Sequence, residues 1–214
     1  MQVIAQAYWK PVYKYLRLKF RMPEEAAADT TQSFFVAVIE KSFFATYDPT
    51  RARFRTFLRT CLDRFVMNQE QKESRQKRGG STEILSLDFD SAEFEIQRTG
   101  TSQDPSPDRM FEIEWVRSLL SIAVDQLRET CEQSAKKTHY VLFCDYNLSR
   151  EEAAEPLTYA ALAAKHGLTT EAVTNYLAWA RREFRRIVLE AIRDMTATDE
   201  EYREEVRTVL GIDP

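Results

Sequence analysis

Residues 158–186, TYAALAAKHGLTTEAVTNYLAWARREFRR, constrain the chain more than any other stretch. A short helix closes on Gly167, Thr169 offers a hydroxyl cap, and a second helix runs into a cluster of arginines. Leu162, Ala163, Leu168, Val173, Leu177 and Ala180 fall at the spacing that buries two helices against each other. Thr170, Glu171, Thr174, Asn175 and Ala178 then project from the outer face of the second helix, a row short and polar enough to approach base edges. This is the pattern of a helix-turn-helix that reads duplex DNA. Any pair of packed helices also needs a turn glycine and small residues, so the rest of the chain has to decide.

With 5 Gly and 7 Pro in 214 residues, and with Ala, Leu, Arg and Glu abundant, the composition favours helix throughout. The expected fold is all-α. Two small helical domains, residues 1–80 and 109–190, are joined by a flexible acidic linker, residues 81–108, and followed by an acidic C-terminal extension, residues 191–214. The net charge of -4 conceals an asymmetry. Residues 1–80 hold 15 Lys+Arg against 8 Asp+Glu, residues 81–108 hold 1 against 7, and residues 109–214 hold 14 against 19. A basic front domain draws phosphates through counterion release, which a chain-averaged charge would hide.

Cys61, Cys131 and Cys144 sit singly in apolar helical patterns and read as reduced core residues, not as a zinc or dithiol set. His139 and His166 are isolated and support neither a metal nor a catalytic base. No nucleophile with its base, glycine-rich phosphate loop or carboxylate pair is visible, so neither enzyme chemistry nor a cofactor is expected. No segment reaches the roughly 20 apolar residues of a membrane span, and the N-terminus lacks the order of a leader. A cytoplasmic protein without membrane contact is expected.

Along the chain, Val3, Ala7, Tyr8, Val12, Tyr15, Leu16 and Phe20 form the apolar side of a first helix, with Lys10, Lys14, Arg17, Lys19 and Arg21 on the other side. After Pro23 a second helix, to about Lys41, buries Phe34, Phe35, Val38 and Ile39. A loop follows, marked by Asp48-Pro49. From Phe54 a third helix carries Phe57, Leu58, Cys61, Leu62, Phe65 and Val66 inward. Opposite them Arg55, Arg59, Arg64, Asn68, Lys72, Arg75, Lys77 and Arg78 form a basic stripe ending at Gly79 and Gly80. Residues 81–108 lose periodicity and read as a solvated tether, with brief alternation in LSLDFD and FEI open to a strand or a docking peptide. Helix resumes over residues 108–128 and 134–146, then through the helix pair, and ends in an acidic helix over residues 199–210.

A basic amphipathic helix, a helix bearing DTTQSFF, a loop with YDPTRARFR, a long helix LRTCLDRFVMNQEQKESRQKR, an acidic linker and a helix-turn-helix occur here in that order. Over residues 5–80 and 115–187 the chain resembles the extracytoplasmic-function (ECF) group of the sigma-70 family of bacterial RNA polymerase sigma factors. The resemblance implies promoter recognition and transcription initiation, with core polymerase (its beta-prime clamp and beta flap) and promoter DNA as partners. The first domain would hold the clamp and melt the minus-ten element, and the second would read the minus-thirty-five element. Asp29, Gln32 and Phe35 match the family's D-x-x-Q-x-x-F helix, so polymerase binding is expected at Asp29, Thr31, Gln32 and Phe35. Tyr47, Asp48, Thr50 and Arg51 match the loop that holds an unstacked base, and Arg55, Arg59, Arg64, Asn68, Lys72 and Arg75 would track the melted strand. Minus-thirty-five contacts are expected from Thr170, Glu171, Thr174, Asn175 and Ala178, with Arg181, Arg182, Arg185 and Arg186 near the backbone.

The chain departs from the family pattern in places. Ala27, Ala28 and Ser33 stand where most members carry further acidic residues, so phosphorylation of Thr30, Thr31 or Ser33 by a Ser/Thr kinase would add missing charge. The family often has a basic residue where Thr174 and Tyr176 stand. Trp179 is either core or a platform against sugar. The acidic tail from Asp194 reads by default as a solvated terminal helix, with packing on the recognition domain, masking of its basic face, or binding of a regulator such as an anti-sigma protein as the alternatives. The alternative reading is a dimeric helix-turn-helix regulator independent of core polymerase, but residues 1–80 offer neither a ligand pocket nor a heptad seam for it.

Overall fold

The computed structural model describes residues 2–40, 46–73, 87–99, 106–148 and 157–212, and no strand occurs among them. The helices are α1 (Gln2–Lys19), α2 (Glu24–Glu40), α3 (Phe54–Glu73), α4 (Phe89–Thr99), α5 (Pro107–Gln133), α6 (Lys137–Phe143), α7 (Tyr159–His166), α8 (Thr170–Asp194) and α9 (Asp199–Leu210). The all-α expectation holds. Residues 1–119 with 192–214 form one compact unit and residues 120–191 a second. This division differs from the expected boundaries, because the first unit takes in α4, the start of α5 and α9 as well as residues 1–80.

The first unit closes around aromatic side chains. Tyr8 and Leu16 of α1, Phe34 and Phe35 of α2, Phe54, Leu58 and Leu62 of α3, and Phe111 and Trp115 of α5 are all buried. Tyr8 meets Phe54 edge-on at 5.6 Å and stacks on Trp115 at 6.2 Å, geometries that favour aromatic pairs beyond the area they bury. α2 begins after Pro23, whose carbonyl accepts from the Ala27 amide, and Glu24 and Glu25 complement the positive end of its dipole.

The basic side of α1 is largely met by carboxylates. Lys14 is only 4% exposed and pairs with Glu95 at 2.5 Å and Glu114 at 2.8 Å. Lys10 also reaches Glu95, Arg17 pairs with Glu93, and Lys19 with Asp63. Glu93 and Glu95 lie on α4, inside the stretch read as a tether. Asp88 starts that helix by accepting from the Ser91 amide, and Phe89 packs against Trp9 and Tyr13. The short alternation was misleading because Phe89, Ala92 and Glu93 also satisfy a helical repeat, and the lysines of α1 reward that choice. Paired as they are, the Glu93 and Glu95 carboxyls stay below their ordinary range despite partial burial.

The C-terminal extension is likewise structured. Thr198 caps α9 by accepting from the Glu201 amide, and Gly211 closes it with φ 67°. α9 packs within the first unit, whereas the sequence favoured a solvated helix and left open the recognition domain or an outside regulator. Its Glu205 lies 2.6 Å from the Arg55 guanidinium, which also sits 2.5 Å from Glu112 and 4.5 Å from the Trp115 ring. The angles are poor for hydrogen bonds, so these contacts are chiefly coulombic. Arg55 is 3% exposed, too deep for the strand-tracking stripe to which its spacing assigned it.

Removing the Arg55 guanidinium would strand two carboxylates and an aromatic face, so Arg55→Ala should cost about 3 kcal/mol of unfolding free energy by urea titration. Burial pushes the Glu205 carboxyl up to about 7, with Arg55 opposing. A folded value above the unfolded one means this contribution is full below the ordinary carboxylate range and is lost as pH climbs through about 7. The urea midpoint should therefore decline from about pH 5 to about pH 7.5, and Glu205→Gln should flatten that part of the profile.

Candidate nucleic-acid interface

In the second unit the turn is built as its residues dictate. The Thr158 hydroxyl accepts from the Ala161 amide at 3.1 Å, and Gly167 adopts the left-handed conformation at φ 64°. The Leu168 amide returns to the Ala163 carbonyl at 2.9 Å. Thr169 then caps α8 by accepting from the Ala172 amide at 3.1 Å. Leu162, Ala163, Val173 and Leu177 are buried with Leu142 of α6, and Tyr146, Leu157, Tyr159, Leu168 and Tyr176 close over them. Ala180 is also buried.

With that seam inward, Thr170, Glu171, Thr174 and Asn175 lie exposed on the opposite face and Ala178 is half-buried. Thr174 donates to the Thr170 carbonyl at 2.8 Å. The arginines divide into two groups. Arg182 and Arg185 are exposed. Arg181 is held by the Tyr159 hydroxyl at 2.9 Å over the Tyr146 ring, and Arg186 is claimed by Glu183 and Glu190 at 2.5 Å each. Trp179 is half-buried, with Lys136 over its ring at 4.4 Å and His139 edge-on at 5.2 Å. His139 also stacks on Tyr176 at 4.1 Å, and burial pulls its basicity down. Asp145, from the π-helical turn Cys144–Leu148, accepts from both Lys165 and His166. His139 thus packs between aromatic rings, and His166 is paired with Asp145.

In the first unit the loop before α3 is preorganised. Asp48 Oδ1 accepts from the Thr50 amide at 3.0 Å and hydroxyl at 2.7 Å, which lowers its carboxyl and fixes an Asx turn. Arg51 pairs with Asp48 at 3.2 Å but is 85% exposed. The Tyr47 ring packs on Phe54 and Phe57, and its hydroxyl donates to Glu201. On α3, Arg64 and Asn68 are exposed, while Arg59 is drawn toward Asp108 at 3.4 Å and Glu112 at 3.7 Å. The Lys72 side chain and Arg75, with Lys77 and Arg78, lie outside the described residues. Arg53 was missed: it sits on the loop with its side chain 40% exposed, paired to Glu204 at 2.9 Å. The alternation Arg51, Arg53, Arg55 was the available clue.

α2 corrects two of the expected polymerase contacts. Asp29 is exposed and Gln32 half-buried, but Thr31 and Phe35 are core residues at 0% and 2% exposure. The Thr31 hydroxyl donates to the Ala27 carbonyl at 2.7 Å. Thr30 is also buried, so of the three hydroxyls considered for phosphorylation Ser33 alone is exposed. The apolar stripe of α2 is wider than assumed because α1 and α3 both pack on it.

The family model described as ECF sigma factor matches residues 8–186. The chain belongs to the ECF sigma factor family, the extracytoplasmic-function group of sigma-70 proteins, and is an RNA polymerase sigma factor that acts in transcription with DNA. No curated protein and no solved structure matches it. No helix among the described residues is long and apolar enough to cross a membrane.

A Cβ added at Gly167 would meet nothing within 4 Å, so a substitution there is penalised by backbone conformation alone. Gly167→Ala should lower stability by about 1 kcal/mol, read as a lower melting temperature. Thr169→Ala should cost a similar amount, about 1 kcal/mol, through the lost cap.

Proposed function

We propose that this sigma factor engages core polymerase through the exposed side of α2, melts the minus-ten element with the Tyr47–Arg59 region, and reads the minus-thirty-five element with α8. The observation that carries this reading is the division of α8 into an apolar seam and the exposed row Thr170, Glu171, Thr174 and Asn175. Arg182 and Arg185 flank that row as free phosphate contacts, while Arg181 and Arg186 first have to leave their internal partners. Asp29, Gln32 and Ser33 form the face offered to the beta-prime clamp. The second unit would also meet the beta flap, and the protein would work in the cytoplasm without chemistry of its own.

In this reading Tyr47, Asp48, Thr50 and Arg51 receive an unstacked base, with Arg64 and Asn68 next along the strand. Ser33 lies four residues from Asp29 on α2, so a phosphate there would add about -1.5 to -2 charges beside the existing carboxylate. Control by a Ser/Thr kinase at Ser33, or by an anti-sigma protein, is part of the proposal.

Run-off transcription with core polymerase over a genomic promoter library tests the whole. The intact protein should direct initiation at discrete promoters, and the Asp29→Ala, Gln32→Ala variant should lose most of it. Absence of any promoter-dependent initiation, including after kinase treatment, would overturn the reading. On a selected promoter, Arg182→Ala and Arg185→Ala should each weaken binding on all sequences alike and reduce the salt slope by about 1. Asn175→Ala should instead relax preference at one base pair, by about 1–3 kcal/mol.

A further inference from the structure

α9 lies beyond the residues matched to the family, and its acidic side chains meet the loop assigned above to the unstacked base. Glu201, only 6% exposed, places Oε1 against the Tyr47 hydroxyl and 2.8 Å from the Phe54 amide. Its Oε2 accepts from the Ala197 amide at 2.9 Å. The Phe54 amide lies at the N-terminal end of α3, where the helix dipole favours a phosphate or any other anion. Three residues on, Glu204 takes Arg53, and Glu205 takes Arg55. Glu201 and Glu204 thus occupy a hydroxyl, a helix N-terminus and a partly exposed guanidinium, donors of the kind a nucleic-acid backbone would use, while Glu205 ties α9 to the buried Arg55.

We propose that α9 is a built-in nucleic-acid mimic, a latch that competes with single-stranded DNA for Tyr47, Arg53 and the start of α3. The inference rests on the reading of this loop as the single-strand site. The latch is fixed at its own base: Arg193 pairs with Asp199 at 2.6 Å and lies 4.1 Å over the Tyr202 ring. Its outer contact is weaker, since the Arg53 and Glu204 side chains are 40% and 42% exposed and water screens them. Breaking that contact raises the fraction of molecules with the loop uncovered, and apparent affinity for the competing strand rises in proportion.

The test uses the full-length chain and a fluorescent random-sequence pool of short single-stranded DNA, with anisotropy as readout and hydrogen exchange of the α9 amides beside it. Glu204→Arg breaks the outer contact. Glu200→Arg makes the same charge change at an exposed position of α9 for which no contact to the loop is seen among the described residues, and so controls for long-range attraction. Glu204→Arg should bind the pool about three- to five-fold more tightly than Glu200→Arg, with faster exchange in α9. Glu201→Gln, nearly the same shape, should shift both readouts the same way. Equal affinity of Glu204→Arg and Glu200→Arg overturns the latch, whether or not α9 exchange quickens. Absence of strand binding by every form including wild type, even with core polymerase present, instead overturns the reading of the loop and with it the latch.

Discussion

A guanidinium with almost no access to water sets the terms for the first unit. Arg55 sits where α3 begins, and a cation so placed must be surrounded by anions or it is intolerable. Glu112 reaches it from α5 and Glu205 from α9, while the Trp115 ring covers its face. One side chain thereby joins three helices widely separated in sequence. Tyr8 lies in the same cluster, where burial pushes its phenol well above the ordinary range and helps keep it neutral.

The same logic runs through the rest of that unit on a smaller scale. Its basic residues are matched by carboxylates supplied from later in the chain: Glu93 and Glu95 for α1, Asp63 for Lys19, and Glu204 for Arg53. Most of these pairs are partly exposed and individually worth little. Their effect is selective rather than strengthening, because α4 and α9 have few apolar anchors and find their places by charge as much as by burial. Among the described residues, cations without an ion pair include Arg64 on α3 and Arg182 and Arg185 on α8, and in the proposed reading these meet phosphates.

Much of the architecture could be read in the residues. The helical repeat placed α1, α2, α3 and α8, and Thr169 with Gly167 marked the turn of the helix-turn-helix, because those signals are local. What could not be read was long-range pairing. Nothing in LSLDFDSAEFEI announces that its glutamates meet lysines some 80 positions earlier, so a docked helix passed for a tether. The basic stripe on α3 suffered the same way: Arg55 and Arg64, nine residues apart, fall about half a turn from each other, and only the fold tells which has been consumed internally. In α2 the DTTQ motif and the burial of Phe35 were legible, but the depth of Thr31 depended on two neighbours closing over it at once, and Ile39, read as buried, is exposed.

α8 separates two requirements that usually conflict. Stability is vested in Val173, Leu177 and Ala180, which never face outward, and the outward row takes no part in the apolar core. Residues at 170, 171, 174 and 175 are thus at liberty to drift without threatening the scaffold. In the proposed reading of α8, such a helix lends itself to rapid divergence of target sequence among descendants, and to deliberate reprogramming, at little expense in folding.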